Sequence, residues 1–190
     1  VIEIDDSDLD KAAKLLDGIP GALDKVSRKA VRAAVKGAKK EAAEKIADRY
    51  TIQKSRIGKT MRVAYRGAGA IFSSKGPVND LSYFKHNPRS VLKHRPPKGQ
   101  YLYSQVVKGQ GGTIAHAFLA KMRSGHVGVF QRAGHGTSNA SLPIDKLAGP
   151  SVPQMLESPT IERYMEKHLK ERFASALEHE TMTYLEGLHV

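Results

Sequence analysis

The spacing of apolar side chains changes twice along this chain, and that change constrains the fold more than any other feature. Leu23, Val26, Ala30, Ala33/Ala34, Ala38, Ala42 and Ile46 recur at helical spacing. From residue 61 the period drops to two: Met61, Val63 and Tyr65 alternate with Arg62, Ala64 and Arg66. Helical spacing returns in Ile161, Tyr164/Met165, Leu169, Phe173, Ala176/Leu177, Tyr184 and Leu188. Helices, then strands, then a helix give an α+β class. The expected architecture is a long N-terminal helix, a central, mostly antiparallel β-sheet, and a long C-terminal helix packed on that sheet.

Punctuating residues place the boundaries. Val1, Ile2 and Ile4 suit a short strand, and Ser7 with Asp10 resembles a capping box before a short helix that Gly18 ends. Pro20 suits the first turn of a second helix running to about Tyr50, a rod of about 45 Å. Residues 51–57 read as one more helical turn or as a connection. Strands are predicted at 70–73, 81–84, 101–107 and 142–144, with a hairpin joining 115–122 to 126–132 around Arg123-Ser124-Gly125. Lys75-Gly76-Pro77 and Gly109-Gln110-Gly111-Gly112 read as turns. Ser158 and Pro159 mark the start of the last helix. The 190 residues thus divide into a helical arm at 1–50, a β core at 51–149 with long loops at 85–99 and 132–140, and a turn plus helix at 150–190. All three are expected within a single globular domain.

The net charge of +12 is unevenly spread. Residues 1–50 carry 11 Lys/Arg and 10 Asp/Glu, and residues 150–190 carry 4 and 7. Residues 51–149 carry 16 basic side chains against only Asp80 and Asp145. Such a field suits nucleic acid, an acidic protein face or the acidic end of a neighbouring copy, unless it serves only solubility. Lys85, Arg89, Lys93, Arg95, Lys98 and Arg132 are the candidate partner or DNA contacts. Tyr65, Phe72, Tyr83, Phe84, Tyr101 and Tyr103 interleave with cations, a pattern that on an exposed sheet would stack bases. With no Trp and 6% aromatic residues, most of these rings are expected to face the core instead. Ala30, Ala34 and Ala38 would let another backbone approach closely, which makes their helix the candidate for self-association.

The same inventory argues against catalysis. With no cysteine, disulfides and thiolate metal sites are excluded. His86 and His94 lie eight apart and His168 and His179 eleven apart, with no HExxH pattern, so neither a metal nor another cofactor is expected. His116 and His126 are placed to meet across the predicted hairpin. Neither acid of the β core lies beside a nucleophile, and Ser73, Ser74, Ser124 and Ser141 lack the turn that would expose one. No segment approaches the ~20 apolar residues of a membrane span. The start VIEIDDSDLD lacks the basic and apolar regions of a signal peptide, which predicts synthesis in a cytoplasm.

One ordered set of motifs goes further. Ala117-Phe118-Leu119-Ala120 is followed by Ser124-Gly125-His126-Val127-Gly128-Val129-Phe130-Gln131-Arg132 and a Gly/Ser-rich loop. Leu142-Pro143-Ile144 and Gly149-Pro150-Ser151-Val152-Pro153-Gln154-Met155 come next. The series resembles the minor tail protein Z family of tailed bacteriophages and prophages, in which a strand ending in GVF-x-R precedes a variable loop, LPI and a GPS-hP-(Q)-M turn. Pro96-Pro97-Lys98-Gly99 and the basic helix ending in Tyr50 are also similar. The resemblance implies a structural virion protein, not an enzyme, that completes the tail and joins it to the head. It implies assembly in the bacterial cytoplasm and contacts with other tail or neck proteins. It also implies a homo-oligomer, a ring included, with DNA in the channel as a further partner and no membrane. Within the motif turn, Gly149, Pro150, Ser151, Pro153 and Met155 read either as a rigid internal corner or as an interface. Ser151 suits the cap of a short helical turn presenting Met155 and Leu156 to the final helix. The alternative function is that of a basic nucleic-acid-binding accessory protein.

Overall fold

The computed structural model describes residues 6–67, 69–94, 101–132 and 143–188. Helices α1 (Asp6–Leu15), α2 (Ala22–Val35), α3 (Ala38–Arg49) and α4 (Lys54–Gly58) precede the strands. The hairpin β1 (Met61–Arg66) and β2 (Gly69–Ser74) comes first among these, then β3 (Asn79–Asp80) and β4 (Lys85–Asn87). The strands β5 (Leu102–Val107), β6 (Gln110–Ile114), β7 (Ala117–Lys121), β8 (Val127–Arg132), β9 (Ile144–Lys146) and β10 (Ala148–Gly149) follow. Helices α5 (Val152–Leu156) and α6 (Pro159–Glu186) close the chain. The class is α+β and every strand pair is antiparallel, but the strands form four small sheets, not one.

Two compact units emerge. A helical unit combines Val1–Ala42, Met61–Ser74 and Leu156–Val190; a sheet unit combines Ala43–Thr60 and Lys75–Met155. The expected arm and β core are therefore both divided, and the first hairpin belongs with the helices.

The single long helix expected over 20–50 is broken. Lys36 turns extended (ψ 119°) and Gly37 takes φ +85°, so α2 stops after 14 residues. Arg172 of α6 clamps the break. One guanidinium nitrogen donates to the Lys36 carbonyl, an acceptor left over where α2 ends, and Nη1 lies 2.8 Å from Glu41 Oε2. Glu41 sits in the first turn of α3, where a carboxylate also favours the helix dipole. Tyr164 Oη at 3.1 Å and His168 Nδ1 at 3.5 Å reach its other oxygen. Helical periodicity runs straight through Gly37, because Val26, Ala30, Ala34, Ala38, Ala42 and Ile46 are all buried at four-residue intervals. The pattern alone thus conceals the stop.

Helix α6 has 28 residues and buries Ile161, Met165, Leu169, Phe173, Leu177 and Thr181, again every fourth position. It packs on α1 and α2, where a sheet was expected to receive it. Ala30 and Ala34 lie in one buried cluster with Ala12, Leu16, Val26, Phe173 and Leu177. The alanines expected to admit a neighbouring copy are therefore covered by the chain's own α6, and Ala38 is fully buried as well. Small side chains opposite Phe173 and Leu177 let the helices approach closely, and burying each of those two contributes roughly 1.5–3 kcal/mol. Ser158 and Pro159 start α6 as expected, although the Ser158 hydroxyl makes no capping bond.

In the sheet unit, β4-β5-β6 and β7-β8-β9 form three-stranded sheets and β3 pairs with β10. Residues 81–83 form a 3-10 turn, not a strand, which buries Leu81 and Phe84; an apolar run this short suits either state. Gly111 and Gly112 belong to β6, and the turn before it needs only Lys108 and Gly109. The β7–β8 hairpin forms in the expected place, pairing Ala117 with Gln131 and Lys121 with Val127. That register puts His116 and His126 at opposite ends of the hairpin, so they do not meet. Thr51, beside β5, accepts the Lys85 N–H (2.9 Å) and donates to the Gln105 carbonyl.

A Cβ at position 37 would meet nothing closer than Arg172 Nη2 at 3.8 Å. Gly37→Ala therefore adds left-handed backbone strain without a clash. It should lower unfolding stability by about 1–2 kcal/mol in urea titration, and Gly37→Asn by less.

Candidate functional site

Folding sharpens the charge asymmetry. The helical unit contains 15 Lys/Arg and 15 Asp/Glu, whereas the sheet unit contains 16 and 4, so the whole net charge of +12 lies on the sheet unit. Two of its four acids are engaged with lysines. Glu44 lies 3.9 Å from Lys54. Asp80, 6% exposed on β3, has Lys146 Nζ of β9 at 2.6 Å from Oδ1 and His126 Nε2 at 3.3 Å from Oδ2. No periodicity pointed to this cluster; the scarcity of acids in the segment was its one signal in the sequence. Its chemistry is compensation of a buried carboxylate. Among the described residues, no group of three His, Asp or Glu side chains is placed to hold a metal ion.

The candidate cations separate. Lys85 on β4 and Arg89 and Lys93 just beyond it are exposed along one stretch of chain. Arg132 ends β8 in a different sheet, with its guanidinium 5.2 Å from the centroid of the Phe118 ring. Arg95 and Lys98 lie outside the described residues, as does most of the predicted loop 132–140.

The aromatic side chains depart from expectation. Of the six that interleave with cations, Phe84 is buried, Phe72, Tyr83 and Tyr103 are half-buried, and Tyr65 and Tyr101 are exposed. Arg56 lies 3.5 Å from the centroid of the Tyr83 ring, a cation–π contact, and Tyr101 packs on His116 with centroids 5.1 Å apart.

The motif turn at 149–155 is an internal corner. Gly149 pairs with Asn79, whose Nδ2 donates to the Pro150 carbonyl at 2.8 Å. A Cβ on Gly149 would lie 2.5 Å from Cε2 of the buried Phe84 ring, so only glycine fits there. Ser151 and Gln154 form a reciprocal capping box on α5. The Ser151 N–H donates to Gln154 Oε1 (2.8 Å), and the Gln154 N–H donates to Ser151 Oγ (3.4 Å). Pro153 fits the first turn, where its missing donor costs nothing. Met155 and Val152 are buried. The expected cap on Ser151 is present, and the glycine, the Pro150 carbonyl and the serine are all engaged within the sheet unit. No helix among the described residues is long and apolar enough to cross a membrane.

Overpacking against Phe84 should make Gly149→Ala cost about 1–3 kcal/mol in chemical denaturation. Ser151→Ala should cost about 1 kcal/mol through loss of the cap, with Ser151→Asp retaining most of the stability.

No family model, curated protein or solved structure matches the chain, so the resemblance of residues 115–156 stands on its motifs alone.

Proposed function

We propose that this chain is a structural component of a tailed phage or prophage, a tail-completion or head–tail joining protein that acts through protein–protein contacts in the virion. The observation that carries this reading is the motif corner. Among the residues that give the resemblance, Gly149, Pro150, Ser151 and Gln154 pin β10 and α5 in place, through Gly149 beneath Phe84, the Asn79–Pro150 bond and the Ser151–Gln154 box. A segment so tightly specified holds a scaffold, while the +12 charge of the sheet unit offers a surface for acidic faces of tail or neck proteins. With Ala30 and Ala34 covered by α6, a homo-oligomer would use other surfaces of the chain.

A second reading, a basic nucleic-acid-binding accessory protein, is favoured by one specific observation. Tyr101 and Tyr65 stand exposed, where the composition placed such rings in the core.

Mass spectrometry of purified particles tests the first reading. The chain should be present at a fixed copy number per virion, and particles made without it should accumulate as unjoined heads and tails. A chain found only in the soluble fraction, with normal particles forming in its absence, would refute it.

A further inference from the structure

We propose that the open face of the β4-β5-β6 sheet binds single-stranded nucleic acid, with Tyr103 as a stacking platform and Lys85, Arg89 and Lys93 neutralising phosphates. The inference deepens the nucleic-acid reading and rests on it. Strand register defines the face. Lys85 pairs with Gln105 and Asn87 with Tyr103, while Gln105 pairs with Gly111 and Tyr103 with Thr113, so these six residues share one side. Lys85, Asn87, Gly111 and Thr113 are exposed, and none of the six is acidic. The alternate residues Leu102 and Ser104 are buried on the other side.

Tyr103 gives this face its particular chemistry. The space that a Cβ on Gly111 would need is occupied by the Tyr103 phenol, with both Cζ and Oη inside contact range. The ring therefore lies across β6 instead of standing away from the sheet, and any side chain at 111 would displace it. A ring laid along an open sheet beside cations matches the way bases are stacked while their phosphates are neutralised. Tyr101, exposed against His116 one residue before β5, extends the aromatic surface, and the chain leaving β4 carries Arg89 and Lys93. Stacking requires an unpaired base, which selects a single strand over a duplex. An acidic peptide would use the cations but gain little from the ring.

The test is fluorescence anisotropy with a labelled 15-nucleotide oligothymidylate and the intact chain at low salt. Binding should weaken with a log–log salt slope of about −2, from roughly 0.7 per cation for three cations. Tyr103→Leu, which keeps bulk but loses the ring, should weaken binding roughly tenfold, and Tyr103→Phe should preserve it. Combined Lys85→Gln, Arg89→Gln and Lys93→Gln should flatten the slope, while Lys39→Gln with Lys40→Gln, in the helical unit, should leave it unchanged. Circular dichroism of each variant confirms that it is folded, and the combined Lys85, Arg89 and Lys93 variant carries the test if Tyr103→Leu is not, an unchanged salt slope overturning the proposal. The proposal is overturned by absence of binding at low salt, by equal affinity for a duplex of the same length, or by Tyr103→Leu binding as the parent does. Displacement of the oligonucleotide by polyglutamate at equal charge concentration would also overturn it, in favour of an acidic protein partner. None of these outcomes bears on particle composition, which is read separately.

Discussion

Arg172 is the side chain on which the helical unit turns. It stands on α6, yet its guanidinium addresses both sides of the break between α2 and α3, donating to the Lys36 carbonyl and to Glu41 Oε2. A helix end leaves carbonyls without partners, and a planar guanidinium with several donors can satisfy one of them while pairing with a carboxylate nearby. Remove that group and the break keeps its backbone geometry, because Gly37 supplies it, but the Lys36 carbonyl loses its donor from α6 and Glu41 is left to Tyr164 and His168. The buried alanines depend on the same arrangement. Ala30 and Ala34 bury little area themselves, and the cluster is completed by Phe173, the residue after Arg172, and Leu177, one turn beyond Phe173 on α6.

Charge partition gives the two units different physical characters. A helical unit with balanced charge holds its acids and bases in local pairs such as Arg28–Asp24, Lys170–Glu166 and Lys29–Glu180. The sheet unit has few acids with which to do the same, and one of them, Asp80, is buried against Lys146 and His126. Its excess of cations projects a field into solvent, which raises association rates with any anionic partner and makes binding depend on salt. Such a surface serves a joining protein and a nucleic-acid binder alike. The aromatic rings beside the cations separate those two uses, since they add affinity for bases and little for carboxylates.

Much of the local structure was legible from residue patterns, because strand alternation and helix spacing follow from backbone geometry itself. The hairpin at 115–132, the first strand pair, the start of α6 and the cap on Ser151 all follow from short-range rules of turn and cap chemistry, whereas Ser7, expected to cap α1, lies inside it. The failures share a cause. Residues 20–50 were read as one helix running through Gly37, residues 81–84 as a strand, and residues 109–112 as a turn. Each was settled by a partner outside the segment itself: Arg172 at the helix break, the Leu147 carbonyl accepting from the Leu81 N–H, and Tyr103 filling the space above Gly111.

By itself, then, the order of residues determined the α+β class, the polarity of its charge, the absence of thiol chemistry and the position of the motif turn. These depend on composition and on period, which need no knowledge of what folds against what. Only the tertiary structure decided that the alanine stripe is covered by α6, that the strands divide into four small sheets in place of one, and that the motif turn is an internal corner. It alone also placed Tyr103 across an open, acid-free sheet face. The reason is that a side chain's pattern states which face of its own element it occupies, whereas burial and partnership are set by residues tens of positions away.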